Sequence, residues 1–303
     1  MQFDVRPDLL FLAIEAMGVS LTGVLLTLLG RETGRDFVRW WAVGWTLLAV
    51  SVASFLLWQA LGGSARVLLL PYLAGGYGFA VLVARGFAAF REVRTSWRRE
   101  AWWAAALTAW TAGVLTLAST AEDVLRLHAL ALAFLLLVAL DEARKTDAPG
   151  GHRTGRRVAQ LALLALTVNF AGFGLLGWLG AWEGPAAEVL LPFNALIDLV
   201  LLTALGFGQA LLVMETVSAA LAQSNRQLEA ARDLLEVQAR VDPLTSALNR
   251  HAFHSLLGGR DEDLTQRGGC VVVIDIDRLK EVNDTRGHAA GDEMIRTAAA
   301  MIR

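Results

Sequence analysis

The sequence predicts a polytopic α-helical membrane domain of about seven spans, a signalling coiled-coil helix, and then the start of an α/β domain. Three observations carry that reading. Apolar residues fill 55% of 303 positions, charged residues only 18%, and the mean hydropathy is +0.48; soluble domains carry about 25% charge. The apolar residues are gathered in blocks up to residue 213, and a seven-residue apolar repeat follows them. A short polar cassette then appears close to residue 303.

Crossing a bilayer takes about 20 mostly apolar residues. Blocks of that kind lie at 9–29, 38–61, 67–89, 101–118, 124–140, 158–181 and 189–213. The fifth is the weakest, because Arg126 and His128 sit near its start. The first is a span and not a cleaved signal peptide: Asp4, Arg6 and Asp8 make no basic leader, and the apolar stretch is too long. Basic residues alternate between loops. Thirteen of them (for example Arg31, Arg91, Arg99, Lys145 and Arg157) lie in the loops after the odd-numbered blocks or, as Arg39 and Arg85 do, in the block ends beside those loops, against Arg6, Arg66 and Arg126 on the other side. Under the positive-inside rule this predicts an inner-membrane protein with its N-terminus outside and everything after about residue 214 in the cytoplasm.

Acids are scarce inside the blocks. Glu15 and Asp198 are the two, and a charge near mid-span is costly enough to suggest a signalling role by default. The alternative for Asp198 is a protonated structural acid hydrogen-bonded to Asn169 or Asn194. His128 reads as a lone histidine satisfied by a neighbour. Haem needs a second histidine and retinal a lysine, and the blocks contain neither. The single cysteine, Cys270, excludes an intrachain disulfide and reads as a buried thiol.

Met214, Leu221, Leu228 and Leu235 recur every seven residues, with Val217, Ser224, Ala231 and Gln238 three places on. A stripe of about three heptads predicts a homodimer through the 214–241 helix; an amphipathic surface helix is the alternative. Asp242 and Pro243 then read as the N-cap and first position of a new helix.

"GGCVVVIDID" reads as a buried strand ending at Asp275 and Asp277. Ligands of open α/β sheets gather at such strand ends, and a hard divalent cation takes carboxylate and carbonyl oxygens. "RLKEVND" follows as a helical turn carrying Lys280, then "TRGHAAGDEMI" as a glycine-punctuated loop and a second helix with Ile295, Ala299 and Ile302 on one face.

Taken together, Asp242, Leu244, Thr245, Asn249 and Arg250, then Asp275, Asp277, Lys280, Asn283, Asp284, Gly287, His288, Gly291 and Asp292, stand at the spacing D-x-L-T-G-L-x-N-R … D-x-D-x-F-K-x-x-N-D-x-x-G-H-x-x-G-D. The segment resembles the opening of a GGDEF domain, the catalytic module of diguanylate cyclases, which condense two GTP molecules into cyclic di-GMP. The resemblance implies that Asp275, with the carbonyl of Ile276, binds Mg²⁺ (or Mn²⁺). It implies that Asn283 and Asp292 hydrogen-bond guanine, that His288 lies near the nucleotide, and that Lys280 faces the phosphates. GTP, a second copy of the chain and the lipid bilayer are the implied partners, and nucleic acid is not one. Ser246 and Ala247 depart from the usual Gly-Leu, and Leu279 stands where Phe is common.

The organisation that follows is a membrane sensor at 1–213, a coiled-coil linker at 214–241 and the N-terminal part of a GGDEF domain at 242–303. The GG(D/E)EF hairpin is not found in 242–303, so the catalytic groups are expected downstream of Arg303 and the 303-residue chain on its own is expected to be inactive. "GGRDED" at 258–263 precedes the metal strand and reads as a solvated loop. Two other functions fit the composition: a non-enzymatic membrane protein that dimerises, or a transporter with a regulatory tail.

Overall fold

The computed structural model describes residues 7–93, 96–146, 154–180, 193–253 and 272–302. The chain divides into two compact units, Met1–Ala220 and Leu221–Arg303.

The first unit is a helical bundle. Its helices are α1 (Pro7–Thr33), α2 (Asp36–Ala60), α3 (Leu69–Phe90), α4 (Trp97–Leu117), α5 (Ala121–Arg144), α6 (Thr154–Trp178) and the first half of α7 (Asn194–Arg240). Six of the described helices are long and apolar enough to cross a membrane: all of these except α4. The predicted fourth span is therefore a helix of adequate length, 21 residues, but its Ala, Thr and Trp content leaves it short of the hydropathy of its neighbours. The fifth block, read as the weakest, is among the six. Its polar start is locally satisfied. Thr120 and Asp123 form a reciprocal capping box, and Arg126 pairs with Glu122 at 3.1 Å and Asp123 at 3.8 Å.

Cross-helix contacts give the directions. Trp41 Nε1 donates to the Val83 carbonyl at 3.1 Å and Ser51 Oγ to that of Tyr72 at 2.6 Å, so α2 and α3 are antiparallel. Tyr72 packs on His128 while Arg91 pairs with Glu142, so α3 and α5 run parallel. Helix α4 carries the chain back between them: Arg85 meets Glu100 at 3.0 Å at one end, and Trp110 Nε1 donates to Tyr77 Oη at 3.2 Å further along. Phe11 on Phe193 and Gly18 against Leu199 make α1 and α7 parallel. Helices α1, α2, α3, α5, α6 and α7 thus close a ring, with α4 set against α3 and α5.

Small residues set the spacing of this ring, as in membrane helix packing generally. A methyl at Gly208 would stand 2.6 Å from the Ala159 amide nitrogen, and one at Gly75 2.5 Å from the Leu47 carbonyl oxygen. Between α2 and α3 the core is aromatic. Trp41, Trp45, Phe79 and Phe87 are buried, with edge-on ring contacts at 5.0 to 5.2 Å. Trp45 Nε1, which could not be left unpaired there, donates to Gln209 Oε1 of α7 at 2.7 Å.

Helix α7 runs unbroken for 47 residues to Arg240, about 70 Å at 1.5 Å per residue. The heptad residues Met214, Leu221, Leu228 and Leu235 are 61 to 68% exposed, an apolar stripe with no partner in a single chain among the described residues.

In the second unit Asp242 and Pro243 do not start a helix. Pro243, Leu244 and Thr245 form a turn, Ser246 adopts the left-handed conformation (φ +54°), and Val241 pairs with Leu248 in an antiparallel bridge. The left-handed residue ends any continuation of helical backbone. A helical turn begins instead at Arg250, where the Asn249 side chain accepts from the Ala252 amide at 3.0 Å. The strand reading fares differently along its length. Gly268 to Val271, with Cys270 and the loop at 258–263, lie outside the described residues. Val272, Val273 and Ile274 are exposed and carry no ladder pairing among the described residues. A strand is buried only by neighbouring strands or helices, and none of the described elements covers this one. Beyond it come α8 (Leu279–Arg286) and α9 (His288–Ile302).

Candidate functional site

The first motif closes on itself. One Asp242 oxygen accepts from the amides of Leu244 and Thr245 at 3.1 and 2.9 Å and from Thr245 Oγ1 at 2.8 Å. The Thr245 amide, then its hydroxyl, hold this carboxyl below the usual carboxylate range. Ser246 and Asn249 add backbone bonds of 2.8 Å to Asp242 and Arg240. This nine-residue pattern is a structural clasp, and none of its groups points to chemistry. Ser246 occupies the place where glycine is usual, at a φ that costs a side-chain-bearing residue about 1–2 kcal/mol. Ser246→Gly regains that cost less the extra unfolded-chain entropy of glycine, about 0.5–1 kcal/mol. It is expected to raise the unfolding midpoint of the second unit by a few degrees in a thermal scan; an unchanged or lower midpoint would mean that the serine hydroxyl compensates.

In the second motif, Asp275 is exposed and one of its oxygens accepts from the Ile276 amide at 3.0 Å. Arg278 (φ +59°) turns the chain into α8, and Lys280 is exposed in the first turn of that helix. Gly287 stops α8 at φ +83°, where a side chain would be strained, and its amide bonds the Asn283 carbonyl at 3.0 Å. The corner brings α9 against α8. There a methyl on Gly291 would overlap the amide of Asn283, so the absence of a side chain at 291 is what seats Asn283. Asn283 and Asp292 are both half-buried on this corner, while His288 is exposed. The sequence reading set Asn283 and Asp292 on one guanine edge; the contact between Asn283 and Gly291 is what the structure adds, and it had no signal beyond the glycine itself. The described residues contain no cluster of three or more His, Cys, Asp or Glu side chains able to hold a metal. Asp275 and Ile276 offer one carboxylate and one carbonyl, a partial oxygen shell of the type Mg²⁺ accepts when phosphates and water complete it.

This clasp, turn and helical corner fall within a stretch, residues 239–303, that matches the profile of the family described as "Diguanylate cyclase, GGDEF domain". Residues 239–303 belong to the GGDEF family. Along this stretch the chain is similar to the probable diguanylate cyclase DgcT of Escherichia coli, 41% identical over 64 residues that cover 21% of this chain and 14% of that protein. It is similar to the cyclic di-GMP phosphodiesterase NbdA of Pseudomonas aeruginosa, 35% identical over 79 residues, 25% of this chain and 10% of that one. It is also similar to the diguanylate cyclase TpbB of the same species, 44% identical over 68 residues, 22% of this chain and 16% of the relative. The chain thus spans a small part of the curated relatives that it matches. No solved structure matches it.

The acids of the bundle lie elsewhere, around a cavity of about 590 Å³ inside the first unit. Asp198 is buried and accepts from Asn169 Nδ2 at 2.8 Å and from Asn194 Nδ2 at 3.1 Å, one amide on each oxygen. Both candidate structural partners are therefore engaged. Glu15 lines the same cavity, close enough to Asp198 to interact electrostatically. His128 departs from expectation: it is buried between Tyr72 and Tyr77, and its Nδ1 has no hydrogen-bond partner among the described residues.

Proposed function

We propose that this chain is the membrane sensor and the nucleotide-binding edge of a diguanylate cyclase. In that reading the bundle sits in the inner membrane with its N-terminus outside, and the GGDEF segment is cytoplasmic. The observation that carries it is the α8–α9 corner: Asn283, seated on Gly291 next to Asp292, offers an amide and a carboxylate together, the donor and acceptor set that a guanine edge requires. Asp275 and the Ile276 carbonyl would hold Mg²⁺ or Mn²⁺, and Lys280 would neutralise phosphate charge. The metal, when bound, supplies charge stabilisation for phosphoryl transfer. The residues of this chain bind one GTP and fix its orientation; two chains facing each other would let each 3′-hydroxyl attack the other's α-phosphate, releasing two pyrophosphates and one cyclic di-GMP. Positioning and electrostatics are the main sources of such catalysis.

The relatives include proteins named as phosphodiesterases as well as cyclases, so the deciding assay is product formation. A form of the protein that carries a GG(D/E)EF hairpin, placed in membranes with GTP and Mg²⁺, is expected to form cyclic di-GMP, and residues 1–303 alone are expected to form none. Asn283→Ala and Gly291→Ala are each expected to weaken GTP binding about tenfold or more, the loss of one well-placed polar contact to a base being about 1–3 kcal/mol. Cyclic di-GMP formation at the wild-type GTP affinity in both variants would remove the guanine-edge assignment.

Dimerisation would run through the exposed heptad stripe of α7. Leu228→Asp and Leu235→Asp are expected to shift the purified protein from dimer to monomer in mass photometry, since a seam cannot bury charge at successive core positions. An unchanged mass favours a surface helix.

A further inference from the structure

We propose that the cavity in the membrane bundle is a binding site for an organic ammonium ligand, a small molecule with a cationic nitrogen and an apolar or aromatic body. This rests on the bundle alone and is independent of the cyclase reading.

The cavity lies in one half of the ring. It is walled by the first turns of α1, α3, α5 and α7 and the last turns of α2 and α6, with Asp8 among the lining residues at the start of α1. About 590 Å³ is within the range of pockets that take drug-sized molecules, and far more than a single metal ion or a bridging proton requires. Among the described lining residues the acids are Asp8, Glu15 and Asp198, and there is no lysine or arginine. Glu15 and Asp198 both line the cavity, and a cationic ligand held there would keep such buried carboxyls ionised.

Three further features select an organic cation. First, the wall is aromatic: Phe55, Tyr72, Phe79, Phe170 and Phe173 are part of the lining, and ring faces attract ammonium groups. Second, the polar groups are unevenly committed. Asp198 is fixed by two amides, whereas Glu15 has no hydrogen-bond partner among the described residues. His128, 3% exposed, also lines the cavity. A buried carboxylate ordinarily has a partner, and an ammonium N–H can supply one to Glu15. Third, no group of three metal-ligating side chains converges among the described residues.

The test uses the full-length protein in nanodiscs, titrated with phenethylamine, benzyltrimethylammonium and the uncharged 2-phenylethanol, with calorimetry and thermal unfolding as readouts. At least one of the two cations is expected to bind saturably and raise the unfolding temperature, with 2-phenylethanol at least tenfold weaker. Glu15→Gln is expected to reduce cation affinity at least tenfold and leave 2-phenylethanol unchanged. Asp198→Asn serves the same purpose if Glu15→Gln does not fold, and the cation-to-alcohol comparison needs no variant. Binding of the alcohol as tight as the cations, no binding of either cation, or wild-type cation affinity in a folded variant overturns the proposal. So does stabilisation by millimolar MgCl₂ with no response to the ammonium compounds, which would mark a metal site.

Discussion

Asp275→Asn in a form of the protein that carries the GG(D/E)EF hairpin is expected to lower cyclic di-GMP formation at least about 100-fold, the scale of losing one group that stabilises charge at a reacting phosphoryl centre. The substitution is nearly isosteric, so its effect is confined to charge. In the structure the Asp275 carboxylate is exposed, and its one hydrogen bond, to the Ile276 amide at 3.0 Å, can be kept by the amide oxygen of asparagine. What asparagine cannot do is present a second anionic oxygen to a hard dication, and its NH₂ would face the cation instead. Folding should therefore be untouched: the unfolding temperature and membrane abundance are expected to match the wild type while product, followed by mass spectrometry, falls to background. Activity retained within about threefold would show that Asp275 is only the end of a loop, and a lost fold would show that it has a structural partner.

Gly208→Val is expected to destabilise the bundle by about 3 kcal/mol, at the upper end of the usual cost of overpacking. A single methyl at position 208 already comes within 2.6 Å of the Ala159 amide nitrogen and 2.9 Å of its Cα. Those are backbone atoms, so no rotamer change relieves the overlap, and α6 and α7 must move apart. The same pair of helices carries the Asn169–Asp198 hydrogen bond and the bond from the Gly155 amide to Glu215 Oε1 at 3.1 Å, and separation strains both. Gly113→Val is the control, because a Cβ there meets nothing within 4 Å and valine is the better helix former. Differential scanning fluorimetry on the purified protein is expected to show a fall of several degrees for the first variant and none for the second. Equal midpoints would mean that α6 and α7 are not in backbone contact.

Local chemistry was legible without coordinates. Apolar blocks marked the bundle helices, because a helix that faces lipid or other helices all round needs no polar face. The seven-residue stripe marked the second half of α7, and the motif residues at fixed spacing marked the clasp and the α8–α9 corner. The glycines at 287 and 291 marked a loop, whereas the structure leaves only Gly287, at φ +83°, between the two helices. The same local logic failed at Pro243, where proline suits the first turn of a helix and the second place of a tight turn equally. The choice fell to the left-handed Ser246 and the bridge between Val241 and Leu248.

Other features belong to the tertiary structure alone. Trp45 and Gln209 bond across 164 residues, a pair that no periodicity encodes, whereas for Asp198 the sequence offered Asn169 or Asn194 and packing engages both. That α4 stays outside the ring, that His128 keeps a buried nitrogen without a partner among the described residues, and that Gly291 makes room for Asn283 were likewise invisible in sequence. The physical reason is the same in each case. Composition and spacing report how a segment satisfies its own backbone and which face is apolar, whereas a site is made by the groups that those segments leave unsatisfied, and only packing decides which of them meet.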